Sequence, residues 1–243
     1  MTAAVIPCFN ESPTIDRLVR HLRRHLDMIV VVDDGSTDET AVKAKNAGAI
    51  VLNHDRNLGK GAALQTGLSY VHNLGSEWAV TLDGDGQHDP VDVAALLQCA
   101  EHTGARLVIG NRMGGAETMP WLRRFVNRWM SKQLSQCAGC PLPDTQSGFR
   151  LIHLETWTDL HLSAQRFEVE SEMLMAFLAD GQPVEFVPIR TIAGTRRSRI
   201  RPLADSLRWW QWWRTMRVDR RTARRTVSGY GNRHPTPSSK PIS

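Results

Sequence analysis

Two hydrophobic periods alternate along this chain. Short, largely apolar runs at 3–6, 28–32, 49–52, 78–82 and 106–110 are rich in β-branched and aliphatic residues and end in polar or glycine-containing segments. Runs of that kind mark strands buried on both faces, and the unbroken run at 28–32 predicts a central parallel strand. Between them the spacing becomes helical. Ile15, Leu18, Val19, Leu22 and Leu26 mark a helix over 14–26, and others are predicted to about 47, from 57 to about 71, and over 91–102. Ser12 before Pro13 reads as an N-cap with proline in the first turn. Strand and helix alternating at this pace predict a mostly parallel, doubly wound α/β sheet with right-handed crossovers.

The alternation breaks after Arg112. A basic helix over 121–136, a loop over 137–147, a strand over 148–153, a helix over 168–179 and a strand over 183–189 are predicted, followed by a basic loop over 191–202. Residues 203–226 form an Arg/Trp helix in which Trp209, Trp210, Trp212, Trp213 and Met216 share an arc of roughly 160° that excludes Arg208, Arg214 and Arg221. Residues 227–243, rich in Ser, Pro and Gly, read as a disordered tail. The expected organisation is therefore one α/β domain over 1–202, the helix 203–226, and the tail.

Composition narrows the class. The 243 residues suffice for one sizeable domain, and 41% hydrophobic with 23% charged residues is ordinary for a soluble protein. The net charge of +5 matters because the excess arginine is concentrated in the C-terminal fifth. Met1-Thr2 leads straight into a strand without a basic leader, and no apolar run approaches the roughly twenty residues that span a bilayer. A cytoplasmic protein, soluble or at a membrane surface, is expected. Cys8, Cys99, Cys137 and Cys140 do not form a disulfide framework, and the Cys137/Cys140 pair has no partner pair for zinc.

In open α/β sheets ligands bind at the carboxyl ends of the strands. Polar clusters stand there: Asn10-Glu11, Asp33-Asp34, Asn111-Arg112 and, after the fourth strand, Asp83-Gly84-Asp85-Gly86-Gln87. Asp83 and Asp85, two apart, can reach one hard cation from the same side, with Gln87 adding a neutral oxygen at the same spacing. Few protein ligands leave room for substrate phosphates. An EF-hand is excluded, because its sixth and twelfth positions would be His88 and Ala94. Gly59-x-Gly61 lacks the third glycine of a dinucleotide fingerprint and the pattern of a Walker loop.

These pieces carry a family resemblance. Ile6-Pro7-Cys8-Phe9-Asn10-Glu11, Val32-Asp33-Asp34-Gly35-Ser36-Thr37-Asp38, Asn57-x-Gly59-Lys60-Gly61-Ala62, Leu82 to Pro90, Gly110-Asn111-Arg112 and Asp144-Thr145-Gln146-Ser147-Gly148-Phe149-Arg150 occur in that order. The chain resembles family 2 glycosyltransferases, and among them the dolichol- or polyprenyl-phosphate sugar synthases, over about residues 3–200. The resemblance implies a Rossmann-like type A glycosyltransferase fold, a nucleotide-sugar donor, and Mg²⁺ or Mn²⁺. By position, Pro7, Asn10, Glu11, Asp33, Asp34, Ser36, Lys60, Gly61, Asp83 and Asp85 would bind the donor, with Asp34 near the base or ribose. Asp83, Asp85 and Gln87 would hold the metal on its diphosphate.

The acceptor is expected to be lipid-linked. Arg112 could grip a phosphate bidentately, and Arg124, Ser198 and Arg199 are expected at the acceptor phosphate; the loop 194–199 departs from relatives in carrying arginines. A lipid phosphate is already an anion and needs no base, whereas a hydroxyl acceptor would need one, with Asp144 the candidate. Analogy favours inversion. The Trp face and Arg rim of 203–226 suit an anionic membrane surface, which places the protein at the inner face of the membrane. Alternatives are that this face packs on protein, that the chain is a nucleotidyltransferase, or that 196–225 binds nucleic acid. Nothing in 1–190 resembles a nucleic-acid module, so no nucleic acid is expected as partner.

Overall fold

A computed structural model describes residues 1–114, 120–160, 162–164, 166, 168–192, 209–210 and 212–214. The chain runs β1 (Thr2–Cys8), α1 (Ile15–Leu22), β2 (Met28–Asp33), α2 (Thr40–Asn46), β3 (Ile50–Asn53), α3 (Lys60–Asn73), β4 (Trp78–Thr81), a 3-10 turn (Pro90–Asp92), α4 (Val93–Thr103), β5 (Leu107–Asn111), α5 (Trp121–Ala138), β6 (Arg150–His153), α6 (Leu154–Thr158), α7 (Val169–Ala179) and β7 (Val184–Pro188). The strands form one sheet in the order β3-β2-β1-β4-β6-β5-β7.

Strand alternation divides the core between two faces. Val5, Val30 and Val32 point to one side, where Leu64 and Leu68 of α3, Leu134 of α5 and Phe177 of α7 cover them. Ile6, Ile29 and Val31 point to the other, against Ile15, Leu18 and Val19 of α1 and Leu96 of α4. Burial on both faces is why these strands read as unbroken apolar runs.

Pairing is parallel except at β6, which runs antiparallel to both β4 and β5. The expected parallel pattern fails there for a topological reason. The chain leaves β5 at its carboxyl end and Arg150 re-enters the sheet opposite Thr81 and Ile109, at the same edge, so β6 must run back. The segment between β5 and β6 therefore stays on the side where ligands bind.

Other departures are local. The Ser12 cap does not form: the Glu11 carbonyl accepts from the amides of Thr14 and Ile15, and the Thr14 hydroxyl donates to the Gly84 carbonyl at 2.6 Å. α1 ends at Leu22, although the amide of Leu26 still reaches the Leu22 carbonyl and its side chain stays buried. α6 was not anticipated by the pattern. Trp209 and Trp213 are buried in the α3/α5/α7 core, and the Trp209 indole donates to Ser171 Oγ at 2.9 Å. These two rings thus pack on protein, against the expectation of a lipid-facing stripe. Ser198, Arg199, the tail 227–243 and most of 203–226 lie outside the described residues.

Gly67 shows how closely α3 is laid on the sheet: a Cβ there would stand 2.4 Å from Val5 Cγ1 and 3.0 Å from Val32 Cγ2. Gly67→Ala gains helix propensity but overpacks two buried strands. Urea unfolding is expected to show a net loss of about 1–2 kcal/mol.

Candidate active site at the carboxyl edge of the sheet

Three corners meet at this edge. At the first, the loops after β1 and β2 are stitched together. Asn10 adopts φ 54°, a left-handed conformation that asparagine tolerates. Its amide donates to Ser36 Oγ at 2.7 Å, its Oδ1 accepts from the Thr37 amide at 2.7 Å, and the Glu11 amide donates to Thr40 Oγ1 at 2.8 Å. Ser36 Oγ in turn donates to Asp33 Oδ1. Pro7, Asn10, Glu11 and Ser36 are half-buried, so part of each remains open to solvent.

Asp34 is buried, and its carboxylate accepts from the amides of Leu58 and Gly59 at 2.9 and 2.8 Å and from His54 Nδ1 at 2.7 Å. It therefore anchors the turn that starts α3. That turn sets Lys60 at the first position of a 14-residue helix, with Gly61 buried behind it. The amino end of a helix favours anions, and here it is aimed at the same edge.

The second corner is the loop after β4. Gly84 lies against β1: a Cβ there would meet Cys8 Sγ at 2.7 Å and Glu11 Cγ at 3.2 Å. Burial, then the surrounding carboxylates, raise the Cys8 thiol well above its ordinary range. Lys60 Nζ bridges Asp83 and Glu170, the latter at 2.5 Å. A Cβ at Gly148 would fall 2.7 Å from Asp83 Oδ1 and 2.8 Å from Lys60 Nζ, so only glycine lets the Ser147-Gly148 backbone close over this pair. Burial would raise Asp83, but Lys60 overrides it and holds the carboxyl well below the usual range. Asp85 goes the other way: burial, then the neighbouring Asp83 charge, raise it. The amide of Gln87 donates to Asp85 Oδ1 at 3.0 Å, fixing the turn. His88 stays neutral, pushed down to about 4 by burial, with Nδ1 accepting from the Asp83 amide at 3.4 Å.

This donor set fits a hard divalent cation. Among the described residues there is no cluster of three or more His, Cys, Asp or Glu around one point, so a cation would be held by Asp83, Asp85 and the Gln87 amide oxygen with substrate oxygens completing the shell. Lys60 pairs directly with Asp83, whereas Asp85 has no direct cationic partner among the described residues and a cation would favour its anion.

The third corner joins β5, α5 and the loop before β6. Arg112 Nε and Nη2 donate to Asp144 Oδ2 and Oδ1 at 2.8 and 2.9 Å, and the Arg112 amide adds a bond to Oδ2 at 3.1 Å. Asp144 is fully buried and held below the usual carboxylate range: the Arg112 charge outweighs the burial that would raise it. Asp144 thus ties the loop before β6 to Arg112, with both side chains withdrawn from solvent. Arg150 fastens the same loop from below, donating to the carbonyls of Ser147, Glu170 and Thr145 at 2.8, 2.7 and 3.1 Å; burial pulls its guanidinium down to about 10.

Two residues here escaped the sequence reading. Arg123, in the first turn of α5, sits near Arg112, Asp83, Asp85 and Asp144, and its Nε finds no hydrogen-bond partner among the described residues. Burial, reinforced by Arg112, draws it below the ordinary arginine range. Arg124, chosen from the sequence, is turned about 100° around the helix. The signal was present: Arg123 heads the stripe Asn127, Met130, Ser131, Leu134 and Ala138 that α5 buries. Glu170 was hidden in the apolar run of α7 and declares itself only through Lys60.

Residues 3–156 match the family model described as Glycosyl transferase family 2. The chain belongs to that family. It is 32% identical over 211 residues to the UDP-N-acetylglucosamine--dolichyl-phosphate N-acetylglucosaminyltransferase of Methanococcus voltae, covering 77% of this chain and 84% of the relative. It is 28% identical over 174 residues to the polyprenol monophosphomannose synthase of Mycolicibacterium smegmatis, covering 67% and 65%. Among solved structures, glucosyl-3-phosphoglycerate synthase from Mycobacterium tuberculosis in complex with Mn²⁺, UDP and phosphoglyceric acid superposes with a TM-score of 0.69 at 25% identity, over 90% of this chain and 78% of that one. The expected type A glycosyltransferase fold is borne out.

The Arg112–Asp144 geometry makes a prediction that separates tie from base. Asp144→Ala leaves a buried, unpaired guanidinium and is expected to cost about 3–5 kcal/mol in urea unfolding, where loss of a base alone would leave stability unchanged. Because the folded carboxyl is held below its unfolded value, the stabilisation is complete at neutral pH and is lost as the pH falls through the acid range.

Proposed function

We propose that this chain transfers a sugar from a nucleotide-sugar donor to a polyprenyl- or dolichyl-phosphate acceptor, with inversion and with Mg²⁺ or Mn²⁺. The observation that carries this reading is Arg123: a half-buried guanidinium with an unpartnered Nε, facing the Asp83/Asp85 carboxylates beside the one carboxylate, Asp144, that had been a candidate base and is locked. A site with a spare cation and a sequestered carboxylate suits an acceptor that arrives as an anion. The relatives that act on dolichyl phosphate and polyprenol support it, as does the UDP and Mn²⁺ complex of the structural neighbour.

In this mechanism the donor nucleotide lies against Pro7, Asn10, Glu11 and Ser36, with its diphosphate toward the amino end of α3 and Lys60. The cation, when bound by Asp83, Asp85 and Gln87, neutralises charge on the departing nucleoside diphosphate. Arg123 orients the acceptor phosphate, and an oxygen of that phosphate attacks the anomeric carbon as the glycosidic bond to the diphosphate breaks. No proton needs to be removed. The acceptor lipid brings the chain to a membrane surface, and no nucleic acid takes part.

Thermal-shift titration with GDP-, UDP- and dTDP-sugars is expected to give a rise for one base that requires Mn²⁺ or Mg²⁺, and Asp85→Ala is expected to abolish that rise while leaving the apo melting point within a few degrees. Arg123→Ala is expected to raise KM for polyprenyl phosphate by roughly ten- to a hundredfold, the worth of one charge-assisted contact, with nucleotide binding intact. Transfer to phosphoglycerate or a saccharide hydroxyl, with none to polyprenyl phosphate, overturns the assignment.

A further inference from the structure

α5 presents two faces of opposite character. Inward, Asn127, Met130, Ser131 and Leu134 are buried, and Ser131 Oγ meets Thr145 Oγ1 at 3.2 Å on the loop that carries Asp144. Outward, Trp121 is 74% exposed, Phe125 64%, Leu122 45% and Trp129 40%. Trp121, Phe125 and Trp129 recur every four residues, so three aromatic rings follow one another along one side of the helix with Leu122 flanking them. Contiguous apolar surface of this kind is uncommon on a soluble face and marks an interaction site.

The charge around that row identifies the partner. α5 carries Arg123, Arg124, Arg128 and Lys132 and no acidic residue. The ring of Trp129 meets that of Trp209 edge-on at 5.5 Å, which sets the helical residues 209–210 beside α5, and there Trp210 is exposed with the Arg214 guanidinium 4.6 Å over its ring. Indoles and a phenyl ring between long basic side chains match the headgroup layer of an anionic bilayer, where rings sink to the acyl boundary and cations stay among phosphates. Among the described residues no helix is long and apolar enough to cross a membrane, so lipid contact through α5 means lying in the plane of the interface.

We infer that the outward face of α5, Trp121, Leu122, Phe125 and Trp129 with Arg124, Arg128 and Lys132, docks this chain on an anionic phospholipid membrane. Its use in catalysis rests on the lipid-phosphate reading above, although the binding itself does not. Arg123 lies in the same turn as Trp121, Leu122 and Phe125 but on the side of the buried Asn127, within electrostatic reach of Asp83 and Asp85. A bilayer against the outward face therefore holds lipid phosphates within about one helix diameter, ~10 Å, of the reacting centre. Of the face expected within 203–226, Trp209 and Trp213 are buried in the core while Trp210 is exposed beside α5.

The test is flotation of the full chain, without donor or acceptor, on phosphatidylcholine vesicles with and without phosphatidylglycerol. The chain is expected to float with phosphatidylglycerol at low salt, and to be released by high salt or by pure phosphatidylcholine. Trp121→Glu combined with Phe125→Glu is expected to lower the bound fraction by roughly tenfold or more, with unchanged melting and unchanged nucleotide binding, while Val42→Glu, at an equally exposed apolar position on α2, floats like the wild type. Failure of the wild type to float overturns the inference, as does equal flotation of the double variant. So does a wild-type dimer that does not float and that the double variant turns into a monomer, because a second copy then covers the face. Flotation without transfer to polyprenyl phosphate leaves this surface standing and removes the acceptor reading; transfer to a detergent-dispersed acceptor without flotation does the reverse.

Discussion

Two carboxylates two residues apart at the end of a buried strand repel each other, and the site is built around how that repulsion is answered. Lys60 answers half of it. Its ammonium pairs with Asp83 and with Glu170, and for it to arrive there several other things must hold. Asp34 must give up its carboxylate to the Leu58 and Gly59 amides so that α3 begins where it does. Gly148 must lack a side chain so that the loop before β6 can close over the pair. Asp85 is left with a raised affinity for protons, because burial and the adjacent Asp83 charge both disfavour its anion. An aqueous loop of the same sequence would show none of this, because solvent would screen the two charges.

The remaining cations divide into fasteners and a free hand. Arg112 and Arg150 are both buried, and both spend their planar donors on fixed partners: Asp144 in one case, three backbone carbonyls in the other. Neither arrangement is an argument for large net stability, since replacing a buried pair by apolar groups is often neutral. What they secure is position. Together they clamp 144–150, and that clamp sets both Gly148 over Lys60 and the antiparallel entry of β6. Arg123 differs because the same fold leaves its Nε unanswered, and a desolvated donor facing a charged cleft is the group most readily satisfied by a ligand oxygen.

Much of this was legible in the sequence. The apolar runs that became β1, β2, β4 and β5 are buried on both faces, so packing and propensity pointed the same way, and Asp83, Asp85 and Gln87 lie where a strand that ends in carboxylates must leave them. What was not legible depended on direction. Whether 148–153 enters the sheet parallel or antiparallel is decided by which edge the chain returns to, and no local pattern records that. Asp144 and Arg112 looked like chemistry because both are ionisable and both end a strand or begin a turn; only tertiary placement shows that each consumes the other. Arg123 and Arg124 are indistinguishable by type and both are half-buried, but a rotation of about 100° puts Arg123 among the charges of the cleft.

The same rotation explains why α5 can serve two solvents at once. A helix that packs on a core usually turns charge outward and apolar groups inward. α5 does bury Met130, Leu134 and Ala138, but beside them it buries Asn127, Ser131 and part of Arg123, and it exposes Trp121, Phe125 and Trp129. Its inner face borders a polar cleft, so polar residues there are satisfied or await a ligand, and its outer face would be unfavourable in bulk water unless something apolar covered it. On the docking proposed above, that outer face sets a phosphate headgroup from the covering phase on the same helix as Arg123, whose Nε finds no hydrogen-bond partner among the described residues.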